Sequence, residues 1–222
     1  MPEAVNLAPL WLTLKVAGIA TLIAFLVGVA IALIFARVHF AGRDWLDAFL
    51  TLPMVLPPTV LGYYLIVLLG RRSPLGQWLE STFDFTFIFT WQGAVIAAAI
   101  VALPLVFKSA RAAFEGVEPN LEKAARVLGA REAKVFLRVT LPLAMRGILA
   151  GTMLAFARAM GEFGATLMIA GNIPGRTQTL SMAVYDAVQA GHDSLANFLV
   201  LVISVTCIVI LVSSGKLLTP RY

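Results

Sequence analysis

NLEKAARVLGAREAKVFLRVTLP, residues Asn120 to Pro142, is a basic, amphipathic segment set between long apolar runs. Its first half carries helix signals at both ends. Pro119 suits a first helical position, Glu118 and Glu122 lie where the positive helix end favours acids, and Gly129 is a ready C-terminal stop. The spacing predicts a helix over Pro119–Leu128 with Leu121, Ala124, Ala125 and Leu128 on one narrow apolar face and Arg126 off it. A small apolar face with charged flanks fits a groove on another protein. The competing reading is an interfacial helix lying on anionic lipid.

The surroundings of that helix are a bilayer. The chain is 60% hydrophobic, with a mean hydropathy of +0.90, which is the composition of an integral membrane protein. Crossing ~30 Å of hydrocarbon takes ~20 apolar residues in helix. Four uncharged runs meet that length: Val16–Ala36, Phe49–Gly70, Phe85–Phe107 and Ser194–Gly215. A fifth, Gly147–Gly171, is long enough but contains Arg158 and Glu162. The expected fold is therefore all-α, a polytopic bundle of about five transmembrane helices. Residues 1–222 are read as a single transmembrane domain with a cytoplasmic loop over about 109–146, leaving no room for a separate soluble domain. The first run is too long for a signal h-region, and Arg37 and Arg43 follow it in place of a cleavage site.

Lysine and arginine placement sets the orientation. With the N-terminus outside, the inner loops hold twelve: Arg37, Arg43, Lys108, Arg111, Lys123, Arg126, Arg131, Lys134, Arg138, Arg146, Lys216 and Arg221. The outer loops hold Arg71, Arg72 and Arg176. The asymmetry puts the N-terminus out, the C-terminus in and the 109–146 loop in the cytoplasm. It also accounts for the net charge of +5 without nucleic acid as a partner.

Within the spans, Lys15 is close enough to the outer headgroups to snorkel. Pro53, Pro57 and Pro58 break the second span, and broken helices persist in a bilayer only where protein or a water path covers them, so this span is expected to face the bundle interior. Pro104 is expected to kink the third span. Small residues recur on the third span (Ala94, Ala97, Ala98, Ala102) and on the fourth (Gly147, Gly151, Ala155 and Ala157, Gly161, Ala165), marking these as central packing helices. The first and last spans, rich in Leu, Ile, Val and Phe, are expected to face lipid. Met1–Pro9 reads as a short outer tail, Pro74–Phe83 as a short interfacial helix, and Thr179–Ala190 as an outer helix with Leu180, Val184, Ala187 and Val188 on one face. Cys207, alone in the last run, packs as a small hydrophobe.

Arg158 and Glu162, four apart in one span, are expected on one helix face, where they either lock the span to its neighbours or gate a path. Pro57, Pro58 and Thr59 either form a passive kink or open a half-helix whose amides meet an oxyanion. Gly171-Asn-Ile-Pro-Gly175-Arg176-Thr177 has three residues between its glycines where a phosphate-binding loop has four, and it reads as a turn. No nucleotide site, cofactor or metal site is expected. His39 and His192 fall on opposite sides of the membrane by the charge count, so they cannot share a metal or serve one triad.

The opening segment resembles the cytoplasmic "EAA" loop of ATP-binding-cassette (ABC) importer permeases: EAA, three residues, Gly, then a variable stretch ending in Leu-Pro. Ala124, Ala125, Gly129, Leu141 and Pro142 occupy that pattern; the glutamate position holds Lys123, with Glu122 one residue earlier. LPMVLPPTVLGYYLIVLLGRRSPLG from Leu52, FTWQGAVIAAAIVALPLVFKSARAAFEGVEPNLEKAARVLGA from Phe89, and FARAMGEFGATLMIAGNIPGRTQTL from Phe156 resemble the molybdate permeases of that superfamily. Sulfate and tungstate permeases are similar at Gly161–Gly164. The resemblance implies a type I ABC importer permease fold in the bacterial cytoplasmic (inner) membrane, with no catalytic site in the chain. It implies a homodimer, two ATPase subunits inside, a substrate-binding protein outside, and molybdate or tungstate as substrate. Coupling to the ATPase falls on Leu121, Glu122, Lys123, Ala124, Ala125, Leu128 and Gly129. The path or gate falls on Pro57, Pro58, Thr59, Arg158 and Glu162. The alternatives are a sulfate/thiosulfate-type oxyanion permease and, from another class, a channel that needs no ATPase.

Overall fold

A computed structural model describes residues 7–218, and every regular element among them is helical. In chain order these are α1 (Ala8–Arg37), α2 (Arg43–Val55), α3 (Pro58–Leu69), α4 (Pro74–Phe83), α5 (Trp91–Glu115), α6 (Pro119–Val127), α7 (Glu132–Val135), α8 (Leu141–Met160), α9 (Gly164–Ala170), α10 (Leu180–Gln189) and α11 (Asp193–Leu218). A π-helical turn, Phe136–Thr140, joins α7 to α8 without a break. Four stretches are long and apolar enough to span a bilayer: Ala8–Arg37, Trp91–Glu115, Glu132–Met160 and Asp193–Ser213. The bent pair α2 and α3, at 114° to each other, meets the same length and hydropathy when taken together as one broken span. The expected outer tail Met1–Pro9 lies mostly outside the described residues, as does Arg221.

The core is built on α5. Ala94, Ala97, Ala98, Ala102, Val106 and Ala110 of this helix are all buried. Against them α1 sets Ala17, Ala20, Ala24, Gly28 and Ala32, also buried. This corrects the expectation that the first span only faces lipid. Its large side chains, Leu22, Leu26 and Ile34, do point outward. Between them runs a stripe of small residues at helical spacing, and small residues let two backbones approach closely in a membrane protein. At Gly28 an added Cβ would lie 3.1 Å from Val106 Cγ1. The third packing partner is α8, where a Cβ on Gly151 would come within 2.1 Å of Ser109 Cβ. The last span behaves as expected: Leu201, Val205, Ile208 and Val212 of α11 are exposed.

Proline acts differently in its three settings. Pro104 lies inside α5, which runs on past it to Glu115, so Lys108 and Arg111 extend the helix instead of lying in the loop. Pro53 is likewise accommodated within α2. Pro57 and Pro58 do break the chain, because Pro58 opens α3 and Leu56 is extended before it. The break does not face the chain's interior. Pro57, Pro58 and Thr59 are exposed, α2 buries none of its residues, and α3 buries only Leu61, Gly62 and Leu65. These inward residues of α3 meet α9, with Gly62 directly under Met168 and Ala165.

Two short helices match their expected positions. Ser73 caps α4, accepting from Gly76 N, and Asp84 ends it in the left-handed region at φ 50°. For α10 the buried face is rotated from the expected one: Leu180, Ala183 and Ala187 are buried and Val188 is exposed. The reason is an anchor from α1. Buried Thr13 donates to Pro9 O (2.8 Å) and accepts from Leu180 N (2.8 Å), fixing the first turn of α10.

The close approach of α5 and α8 gives a direct test. Gly151→Leu should destabilise the solubilised protein by about 3 kcal/mol, the upper end for overpacking, because the nearest atoms belong to a packed helix. Gly18→Leu, where nothing lies within 4 Å, should cost less than about 0.5 kcal/mol. Thermal midpoints in detergent, read for both variants, decide it.

Candidate functional site

The helix predicted from Asn120–Pro142 is α6, Pro119–Val127, with Pro119 in its first turn and Leu128 as its C-terminal cap. Gly129 follows at φ +81°, a backbone conformation that an L side chain adopts at a cost of about 1–2 kcal/mol. Leu121, Lys123, Ala124, Leu128 and Gly129 are exposed and Ala125 is half-buried. The apolar tip is larger than the sequence suggested, because Val127 (87% exposed) stands beside Leu128 (86%). Val127 lies off the i, i+3, i+4 face, as the last residue of α6 before the turn at Gly129.

Glu122 departs from its assignment as an outward coupling residue. It is 5% exposed, the buried residue of an otherwise open helix. Its carboxylate accepts from both terminal nitrogens of Arg37, one at 2.8 Å, and from Thr140 Oγ1 at 2.5 Å. Thr140 Oγ1 in turn accepts from Arg37 Nη2 at 3.2 Å. Arg126, expected to be a bystander, lies 3.5 Å from Glu122 and forms a two-nitrogen pair with Glu132. The Arg37 hydrogen bonds, opposed by burial and supported by Thr140, hold the Glu122 carboxyl down at about 2. Sequence spacing gave no sign of this group, since its members are 85 and 18 residues apart.

A second charged cluster lies at the same end of the bundle. Asp47 of α2 pairs with Lys108 (2.5 Å) and Arg111 (2.9 Å) of α5, and Glu115 bridges Arg111 and Arg43. Cations counted as loop charges thus fix the start of α2 against the last turns of α5.

The five residues read as path or gate converge around two helix breaks. The fourth span was expected to be continuous through Gly161. It ends at Met160 and resumes as α9 at Gly164. Arg158 and Glu162 therefore do not share a helix face, although their side chains still meet, Nη1 to Oε2 at 2.8 Å. The other oxygen, Oε1, accepts from Ala165 N at 2.9 Å and so caps the first turn of α9. Glu162 is deeply buried, while the Arg158 side chain is 39% exposed. Gly164 packs on the α3 break, where a Cβ would lie 2.8 Å from Pro58 Cβ and 3.4 Å from Thr59 N. The starts of α3 and α9 thus touch, with the Glu162 carboxylate taken up by the first turn of α9.

At the opposite end of the bundle, two clefts carry cations. One of about 230 Å³ is lined by Trp11, Lys15, Trp91 and Arg176. In it Lys15 Nζ sits 3.7 Å over the Trp91 ring, a cation–π contact in place of simple snorkelling. The other, about 730 Å³, has Tyr63, Arg71 and Arg72 beside Phe89 and Met168. The loop after α9 is the turn its sequence suggested, with Gly171 and Gly175 at positive φ and Thr177 Oγ1 donating to Gly171 O.

The roles of Glu162 separate by substitution. Glu162→Gln keeps an acceptor for Ala165 N and releases a half-exposed Arg158, so it should cost about 1 kcal/mol. Glu162→Leu removes the cap as well and should cost about 2–3 kcal/mol. Thermal unfolding of the purified variants measures both.

Residues 20–222 match the family described as binding-protein-dependent transport system inner membrane component. The chain is 45% identical to the molybdenum transport system permease protein ModB of Escherichia coli K12, over 91% of this chain and 89% of that one. It is 46% identical to the putative molybdenum transport system permease protein YvgM of Bacillus subtilis, over 85% and 83%. The sulfate transport system permease protein CysT of Escherichia coli K12 is 34% identical over 92% and 74%. Among solved structures, a chain of the inward-facing MetNI methionine ABC transporter superposes with TM-score 0.75 at 16% identity, covering 98% of each chain. A bacterial ABC transporter involved in alginate import gives 0.73 at 18% identity, over 96% and 78%. At such identities these two show the fold, that of ABC importer permeases. With its family match covering all but the first nineteen residues, this chain belongs to the inner membrane components of binding-protein-dependent transport systems.

Proposed function

We propose that this chain is the membrane-spanning subunit of an ATP-driven importer for molybdate, also passing tungstate, with residues 1–222 acting as one permease domain. The observation that carries the docking part is the exposed apolar surface of α6: Val127 and Leu128 stand clear of the bundle at the end stopped by Gly129, and Leu121 is half exposed in the first turn. A free apolar tip of this size on a short, well-stopped helix fits a cleft on a partner ATPase. Two such subunits would dock on the loop 109–146, and a substrate-binding protein would deliver the oxyanion to the opposite side. The charge asymmetry of the loops supports an outside N-terminus and an inside C-terminus.

A second copy of the chain is part of the reading. Pro57, Pro58 and Thr59 are exposed on a broken span, and a break in a bilayer needs cover from protein or a water-filled path. A homodimer supplies both, with the α3 and α9 breaks, Arg158 and Glu162 flanking the path as gate elements. Molybdate is favoured over the sulfate alternative because the molybdenum permeases match at higher identity and over a larger share of their own length. The energy of transport comes from the ATPase, which separates this reading from a passive channel.

The docking surface is tested by three variants of the chain co-expressed with its ATPase. Leu121→Asp places a charge on the apolar surface, and Gly129→Asp adds left-handed strain and a carboxylate at the negative helix end. Each should leave the protein in the membrane while lowering ATPase copurification and molybdate uptake at least tenfold. Lys134→Gln, exposed and outside α6, should stay within twofold. A surface helix bound to anionic lipid would reverse the ranking.

A further inference from the structure

The link between α6 and the spans is electrostatic. Its apolar side chains Val127 and Leu128 point away from the bundle, and Leu121 is half exposed. The side chain that does turn inward is Glu122. Through Arg37 it holds the last residue of α1, and through Thr140 it holds the π-helical turn that leads into α8. The group is closed, because Arg37 also donates to Thr140. One carboxylate therefore ties the exposed helix to two spans at once.

The chemistry of this joint suits the transfer of motion. A guanidinium meeting a carboxylate with both terminal nitrogens fixes distance and orientation together, which a single ammonium or an apolar contact does not. Glu122 is buried while the Arg37 side chain is 40% exposed, and a half-buried ion pair of this kind adds little net stability, so its use points to geometry. Thr140 closes a π-helical turn, an element that is rare and concentrated at functional positions, and the chain continues from it directly into the twenty residues of α8. The joint also borders an open cleft of about 600 Å³, lined by Leu33, Ile34, Val135 and Phe136, which leaves room for the parts to shift relative to one another.

We infer that Glu122, Arg37 and Thr140 are positioning residues that pass displacement of the docking helix to α1 and α8, and that Glu122 acts on this joint and not on the ATPase surface. This rests on α6 being the docking helix. Removing the joint should leave the outward face of α6 able to bind while the spans no longer follow it. The loss then appears as transport per ATP hydrolysed, in place of lost attachment.

The test uses the complete complex, chain with ATPase and binding protein, in proteoliposomes supplied with molybdate. Thr140→Val is nearly isosteric and removes only the hydroxyl, whereas Thr140→Ser keeps it. Glu122→Gln removes the charge. We expect Thr140→Val and Glu122→Gln to copurify with the ATPase at wild-type stoichiometry and to take up at least tenfold less molybdate per ATP hydrolysed. Thr140→Ser should remain within threefold of wild type. Wild-type uptake per ATP in Glu122→Gln and Thr140→Val would overturn the inference. So would a loss of uptake that merely tracks lost ATPase attachment, since that would make the group a structural support for α6. Failure of the wild-type chain itself to hold the ATPase would instead overturn the docking assignment.

Discussion

Close packing of small residues along α5 is the constraint on which the rest of the structure depends. With lipid outside there is no hydrophobic drive to bring helices together, so their association rests on backbone approach and dispersion. Ala97, Ala98 and Ala102 are buried in the core shared with α1, and Ser109 opposite Gly151 brings α8 close, with α1 and α8 also in contact with each other. Once these three helices are locked, both ends of the bundle are determined. At one end, the last turns of α1 and α5 carry Arg37, Lys108 and Arg111 to their carboxylate partners. At the other, Lys15 of α1 reaches Trp91 at the start of α5.

From that frame the function divides between a rigid part and broken parts. The packed trio has uninterrupted helices. The breaks, at Leu56–Pro57 and at Gly161–Phe163 where α8 ends, lie together where α3 meets α9. Glu162 staples the second break by capping α9 and pairing with Arg158. The helix proposed to dock, α6, is tied to α1 and to the turn leading into α8. On the proposed reading, a push on α6 is carried through α1 and α8 to the α3–α9 contact.

Legibility in the sequence followed the range of each signal. Local chemistry was read correctly: Pro119 and Gly129 bracket α6, Pro74–Phe83 is a helix, and Pro57-Pro58 breaks a span. Long apolar runs gave the number of spans. What escaped was whatever depends on residues distant in the chain. The small-residue stripe of α1 was hidden among Leu, Ile and Val, because overall composition masks a single face. The helix end at Met160 was hidden too, since Gly161-Glu162-Phe163 carries no proline and the Glu162 side chain caps the following helix only once the fold turns it to Ala165 N. Glu122 was read as a helix-end charge because its partners, Arg37 and Thr140, are brought to it only by the fold.

The central claim is that this chain forms the passage of an ATP-driven oxyanion importer. The most direct measurement is uptake of labelled molybdate into proteoliposomes containing the purified chain, its ATPase and its binding protein. The account predicts accumulation against a gradient only when ATP and the binding protein are both present, with little competition from sulfate. Equilibration of molybdate by the chain alone, without ATP or ATPase, would contradict it.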